Sequence, residues 1–200
     1  DGSVRDAVIW VSDRMHYGTC GELAETVRTG TMAFERCYGV SYFEHLAKDP
    51  AAGRVWDRGM ACFSALEDAP IARAYPFRPG SRVVDIGGGQ GGFLAEVLRT
   101  DPTLHGVLFD LPDVVATPNR LLDAALDGRF TTAGGDFFEA VPSGDDVYVY
   151  KRILHDWDDD HCTALLRRRR EAIPPAGTLL VVDAVIPPGP DPRPAKVVDI

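Results

Sequence analysis

The sequence predicts an α/β protein, a doubly wound and mostly parallel sheet preceded by a helical segment. Three observations carry that expectation. The stretch from Arg82 to Leu98 reads as a buried strand, a glycine turn and the first turns of a helix. From residue 81 onward, strand-like and helix-like segments alternate, as they do when helices cover both faces of a parallel sheet. Residues 1–75, by contrast, are mainly helical in pattern.

In the first region Leu23 and Val27 pair at i, i+4 within segment 20–28, and residues 31–47 carry apolar side chains at irregular helical intervals. Asp49-Pro50 is a breaker that opens a helix over 51–74, where Val55, Met60, Phe63, Leu66 and Ile71 form a broad apolar stripe. Pro76, Pro79 and Gly80 end it. Val83, Val84 and Ile86 suit a first strand over 82–86, followed by a helix over 91–99 that gathers Phe93, Leu94, Val97 and Leu98 on one face. His105–Asp110 is the second strand, with a helix expected over about 113–126. Strands are expected at 130–134 and 146–150, then a helix at 158–172 and a fifth strand at 177–183. The proline-rich stretch 187–194 reads as a loop. The expected division is a helical segment 1–78 and a sheet domain 79–200.

Composition excludes several functions. The net charge of −9 argues against nucleic acid as a partner, since phosphate neutralisation needs clustered Lys and Arg. The run Arg167-Arg168-Arg169-Arg170 points around a whole helix, makes no single basic face, and reads as a solvated helix end favoured by the helix dipole. Cysteines 20, 37, 62 and 162 form no CxxC pair and no disulfide framework, so reduced cytoplasmic thiols are expected. No apolar run reaches membrane length and no signal peptide is evident, so no membrane partner is expected.

The chemistry should lie at the carboxyl ends of the strands, where open α/β sheets bind ligands. Asp85, Gly87 and Gly89 end strand one, Asp110 and Leu111 end strand two, and Asp136 and Phe137 follow strand three. Lys151 ends strand four and leads to His155, and Asp183 ends strand five. Each acid alone could equally be a helix cap or turn residue. The glycines fit a dinucleotide pattern through Gly87, Gly89 and Gly92, and equally the S-adenosylmethionine (SAM) pattern through Gly87, Gly89 and Gly91. An acid after strand two can accept both ribose hydroxyls. An acid with a neighbouring aromatic after strand three can take an adenine amino group and cover the ring. His155 has the residue type for proton abstraction near neutral pH, and Asp183 could hold its tautomer. The acids and histidines of 155–161 also suggest a metal, but Asp158 to Asp160 open a helix and diverge, so no metal is expected.

Val84-Asp-Ile-Gly-Gly-Gly-Gln-Gly91, Phe109-Asp-Leu-Pro112, Gly135-Asp-Phe-Phe138 and the His-Asp-Trp-Asp run within Lys151–Asp158 together resemble the SAM-dependent O-methyltransferases of the caffeate/hydroxyindole type. The resemblance implies a Rossmann-like methyltransferase sheet with SAM as cofactor. It implies that the glycine turn holds the methionyl part, that Asp110 and Leu111 hold ribose, that Asp136 and Phe137 hold adenine, and that Lys151 lies near the cofactor. His155 would be the base for an aromatic hydroxyl of a small molecule, and Met60 and Ser64 would line the acceptor side. The family usually has Glu where Asp183 stands, one methylene longer. Family members act as homodimers and carry a dimerisation domain before this region, and a further helix and hairpin after it. The expectation is therefore a piece of a longer chain, with an exposed strand-five edge and an exposed apolar stripe in 1–75. The alternatives are a SAM-binding homologue that does not methylate or is an inactive truncated form, and a nicotinamide-dependent dehydrogenase. The second explains the glycines and Asp110 but neither Asp136-Phe137 nor the His-Asp-Trp run.

Overall fold

The computed structural model describes residues 3–116, 126 and 128–191. The chain divides into two compact units, Glu67–Ala184 and a unit formed by residues up to Leu66 with those from Val185 onward.

The secondary structure of the first unit, among described residues, is helical: α1 (Arg5–Val11), α2 (Arg14–Cys20), α3 (Leu23–Thr29), α4 (Ala33–Tyr38), α5 (Tyr42–Lys48) and most of α6 (Pro50–Ala74). The irregular apolar spacing of segment 31–47 resolves into two helices, because Gly39 ends α4 with φ +74°, a conformation that glycine adopts without strain, and Ser41 then caps α5 by accepting from Glu44 N–H. The expected Asp49-Pro50 start holds: the Asp49 carboxylate accepts from the N–H groups of Ala51 and Ala52. Trp10 is the hub, meeting His16, Trp56 and Phe63, and its Nε1 donates to Tyr42 Oη at 3.3 Å. Gly59 makes room for it, since a Cβ there would come within 2.6 Å of Trp10 Cβ. Much apolar surface stays open, including Val8, Val27, Phe63 and Leu66.

The second unit is a five-stranded parallel sheet in the order β3-β2-β1-β4-β5. Its strands are β1 (Arg82–Ile86), β2 (His105–Asp110), β3 (Phe130–Gly134), β4 (Val147–Lys151) and β5 (Thr178–Val182). Buried side chains fill both faces. Val83, Leu108, Val147 and Val149 pack with Leu94, Val97 and Leu98 of α7 (Gly92–Thr100) on one face. Val84, Ile86, Val107, Phe109, Tyr148 and Tyr150 form the other. That two-sided burial explains the near-continuous apolar reading of β1, β2 and β4. β4 starts one residue later than expected, although the Asp146 backbone already ties to its neighbours, its N–H donating to Arg82 O at 3.1 Å and its carbonyl accepting from Thr178 N–H at 2.9 Å. The helix expected over 113–126 is, among described residues, the single turn α8 (Pro112–Val115); the remainder of that segment lies almost wholly outside them.

The helix α9 (Asp159–Ala172) follows a short 3₁₀ turn (Leu154–Asp156). One expectation about it fails. Arg169 is not solvated but 1% exposed, because it lies one helical turn beyond the fully buried Leu165 on the inward face. Among described residues β5 pairs only with β4, so it forms a sheet edge, with Val181 half exposed.

Candidate active site

With every strand parallel, all five carboxyl ends open on one edge of the sheet, and the strand order reverses between β1 and β4. That reversal is where an open α/β sheet leaves a crevice. β1 delivers the glycine turn there. The N–H groups of Gly87 and Gly88 both point to Phe109 O, at 2.8 and 3.4 Å, tying the turn to β2. Gly87 (φ +68°) also lies close to two apolar side chains: a Cβ there would meet Ile153 and come within 3.7 Å of Phe137. Gly89 (φ +56°) instead has open space where its Cβ would be, so a ligand can reach its backbone.

Asp110 joins this turn from β2. Its Oδ2 accepts from Gly89 N–H at 2.8 Å and its Oδ1 from Leu111 N–H at 2.7 Å. Burial nevertheless holds the carboxyl above its ordinary pKa, against the pull of those two bonds. The Leu111 side chain stays exposed. Asp85, one residue from the end of β1, is 2% exposed and its Oδ2 has no hydrogen-bond partner. Burial pushes its pKa up to about 7, with Lys151 opposing and Asp68 and Asp110 adding to the rise.

After β3 the loop is tied back by Gly135 N–H to Asp110 O at 3.0 Å. Asp136 caps its own turn, accepting from Phe138 N–H at 2.7 Å, and Phe137 packs beside Phe138 and Trp157. Lys151, at the end of β4, has a buried side chain whose Nζ lies 3.0 Å from Asp68 Oδ1 and 3.2 Å from Glu67 Oε1. Glu67 also grips Arg152 at two points, Nε at 2.8 Å and Nη2 at 2.9 Å, which holds its carboxyl below the ordinary range.

The 3₁₀ turn presents His155. Its Nδ1 lies 3.0 Å from Asp183 Oδ1, just beyond the end of β5, and its Nε2 lies 3.5 Å from Asp156 Oδ1. If the proton sits on Nδ1, as a carboxylate acceptor favours, Nε2 is left as a base. Burial raises the Asp156 carboxyl, while His155 opposes the rise.

The structure thus brings together Asp110 with Gly89, Phe137 with Gly87, and His155 with Asp183. Met60 and Ser64 lie one helical turn apart on α6, both half-buried, in the first unit. His161 turns to Asp158, which caps α9, and among described residues no group of three or more candidate ligands surrounds a metal position. Sequence reasoning missed Glu67, Asp68, Arg152 and Asp156. Nothing in the run Glu67-Asp68 distinguishes it from an exposed helical surface, because the cations it meets are more than eighty residues away.

A parallel sheet reversing at its middle, with a glycine turn and acids at the strand ends, defines a Rossmann-like nucleotide-cofactor domain. Residues 20–199 match the O-methyltransferase domain family, and the chain belongs to it. It is 41% identical over 185 residues to the phenazine O-methyltransferase PhzM of Lysobacter antibioticus, covering 92% of this chain and 54% of that protein. The solved structure of LaPhzM matches with a TM-score of 0.91 at 39% identity, covering 98% of this chain and 59% of that one. An O-methyltransferase from neocarzinostatin biosynthesis, solved with SAM and 2-hydroxy-5-methyl naphthoic acid, matches with a TM-score of 0.76 at 39% identity, over 84% of this chain and 52% of its own. The chain spans about half the length of the curated relatives it matches. Among described residues no helix is long and apolar enough to cross a membrane.

Proposed function

We propose that this protein is a SAM-dependent O-methyltransferase acting on an aromatic hydroxyl of a small natural-product-like molecule, with His155 as general base. The observation that carries the reading is the His155 Nδ1–Asp183 Oδ1 contact of 3.0 Å, on the sheet edge that also bears the glycine turn and Asp110. Family membership and the aromatic ligand in a structural neighbour support it.

The residues present fit the cofactor. Gly89 leaves its backbone open, the half-buried Asp110 carboxylate has lone pairs left for ribose hydroxyls, and Asp136 and Phe137 flank the turn from the β3 side. Asp85, Gly87 and Lys151 would line the methionyl side, and Met60 and Ser64 the acceptor side. When bound, SAM supplies an electrophilic methyl group on a sulfonium. His155 takes the hydroxyl proton through Nε2, leaving a phenolate. That matters because a phenol of pKa about 10 is mostly protonated at neutral pH. Asp183 fixes the tautomer and stabilises the imidazolium that forms. The remaining task of the site is to hold acceptor and cofactor close and aligned.

The same reading takes residues 1–78 as the acceptor-lining and dimerising part and 79–200 as the cofactor part of a cytoplasmic enzyme of secondary metabolism. The exposed Val8, Val27, Phe63 and Leu66 support a homodimer. His155→Ala should leave SAM affinity nearly intact and cut turnover by about 10²–10⁴. Asp110→Ala and Asp136→Ala should each weaken SAM binding by about 1–3 kcal/mol. Tight binding of NADH with none of SAM, measured by calorimetry, would overturn the reading.

A further inference from the structure

The four-arginine run on α9 has no part in the site as described so far. Two of its members turn toward the loop after β3. Arg169 Nη2 donates to Phe137 O at 2.7 Å, and Arg168 Nη1 donates to Glu139 O at 3.0 Å. Successive residues on a helix diverge by about 100°, so the two arginines reach the loop from different sides of α9. Arg168 reaches it from the exposed side and Arg169 from within.

Arg169 is the more informative. Its guanidinium lies beneath the loop with its central carbon 5.9 Å from the centre of the Tyr150 ring. Its Nε and Nη1 make no hydrogen bond of good geometry among the described residues, although the Tyr150 hydroxyl lies close enough to interact with the guanidinium. A buried cation with few well-formed hydrogen bonds is costly, and an apolar side chain of similar length would fill the space at lower cost. What the arginine adds is a charge-assisted donor to one carbonyl, that of Phe137.

That carbonyl belongs to a segment tied at both ends. Gly135 N–H fastens its start to Asp110 O on β2, and the arginines fasten Phe137 and Glu139 to α9. Between the ties stand the Asp136 carboxylate and the Phe137 ring, which faces Gly87 of the cofactor turn. We propose that Arg168 and Arg169 are positioning residues that set the adenine-reading loop, Asp136 and Phe137, against the glycine turn. The inference rests on the SAM reading given above.

The test compares S-adenosylhomocysteine (SAH) with S-inosylhomocysteine, which replaces the adenine amino group by a carbonyl. The wild type should prefer SAH by about 10- to 100-fold, the worth of a hydrogen bond to a charged group. In Arg169→Met that preference should fall at least about fivefold, and SAH binding should weaken. Arg168→Met should lower the preference by a smaller factor, and Arg169→Lys should recover part of it. A general loss of stability would weaken both ligands alike and leave their ratio unchanged. Arg169→Met with the wild-type ratio overturns the proposal and leaves the SAM reading standing. Should Arg169→Met fail to fold, Arg168→Met and Arg169→Lys decide, and wild-type ratios in both overturn it. A wild type that binds neither ligand overturns the SAM reading and the proposal together.

Discussion

Asp85→Asn should make the protein more stable above neutral pH while leaving it nearly unchanged in mild acid. The side chain is 2% exposed, its Oδ2 is unpartnered, and burial raises its pKa to about 7. In the unfolded chain an aspartate titrates near 3.9. A carboxyl whose folded pKa is raised contributes stability in full below the unfolded value and loses it as the pH climbs to the folded one. The gap is about three pH units, so at about 1.36 kcal/mol each the loss is at most about 4 kcal/mol. Water entry and relaxation around Lys151 bring the working figure to about 2–4 kcal/mol. Asparagine keeps the shape of the protonated acid and can still accept from the Leu94 N–H that bonds Asp85. Thermal melts of both proteins without cofactor, from pH 4 to 8.5, should therefore start together. The variant should lead by about 4–16 °C above pH 8, at roughly 2–4 °C per kcal/mol for a chain of this size. A difference that stays flat across the range, or a variant that melts lower at pH 8, would refute the reasoning.

Two further substitutions probe the same edge of the sheet. Gly88→Ala puts a methyl 2.5 Å from Leu108 Cδ1 and 2.7 Å from Asp85 Oδ2, both buried, so it should cost about 1–3 kcal/mol, read as a lowered Tm; an unchanged Tm would mean the turn is looser than its contacts imply. Asp158→Ala removes the cap that accepts from His161 N–H at 2.9 Å and should lower the midpoint of urea unfolding. The cap and the paired His161 also hold the Asp158 carboxyl below its ordinary pKa, so the difference between wild type and variant should vanish as the pH falls through that lowered value.

The strands were legible because their signals are local. Val83, Val84 and Ile86 are β-branched and run straight into glycines, and a strand buried on both faces has no polar alternation to confuse with a helix. The gathering of the strand-end residues on one edge was legible for the same reason, since a parallel sheet puts every strand end there. What stayed hidden depends on contacts between distant segments. Arg169 looks like its three neighbours in the sequence, and only the phase of α9 against the sheet buries it. Glu67 and Asp68 look like ordinary helical acids until Lys151 and Arg152 arrive from β4. The split of 31–47 at Gly39 was in principle readable, because a glycine followed closely by serine is a helix end and a new cap.

The meeting of His155 with Asp183 follows from register. Lys151 pairs with Val182 at the last rung between β4 and β5, so Arg152 and Asp183 are the next residues on neighbouring strands. Continued extension would carry His155 out past the sheet edge. Instead Arg152 adopts φ +55°, which for a residue with a Cβ costs about 1–2 kcal/mol. Its N–H still donates to Val182 O at 2.9 Å, so β4 keeps its hold on β5 while the chain turns. The two-point grip of Glu67 on its guanidinium offsets the strain and keeps the turn in one conformation. The 3₁₀ turn that follows brings the imidazole back to the acid one residue beyond β5. The strained residue and its distant carboxylate are therefore what convert a strand pairing into an imidazole with a fixed partner.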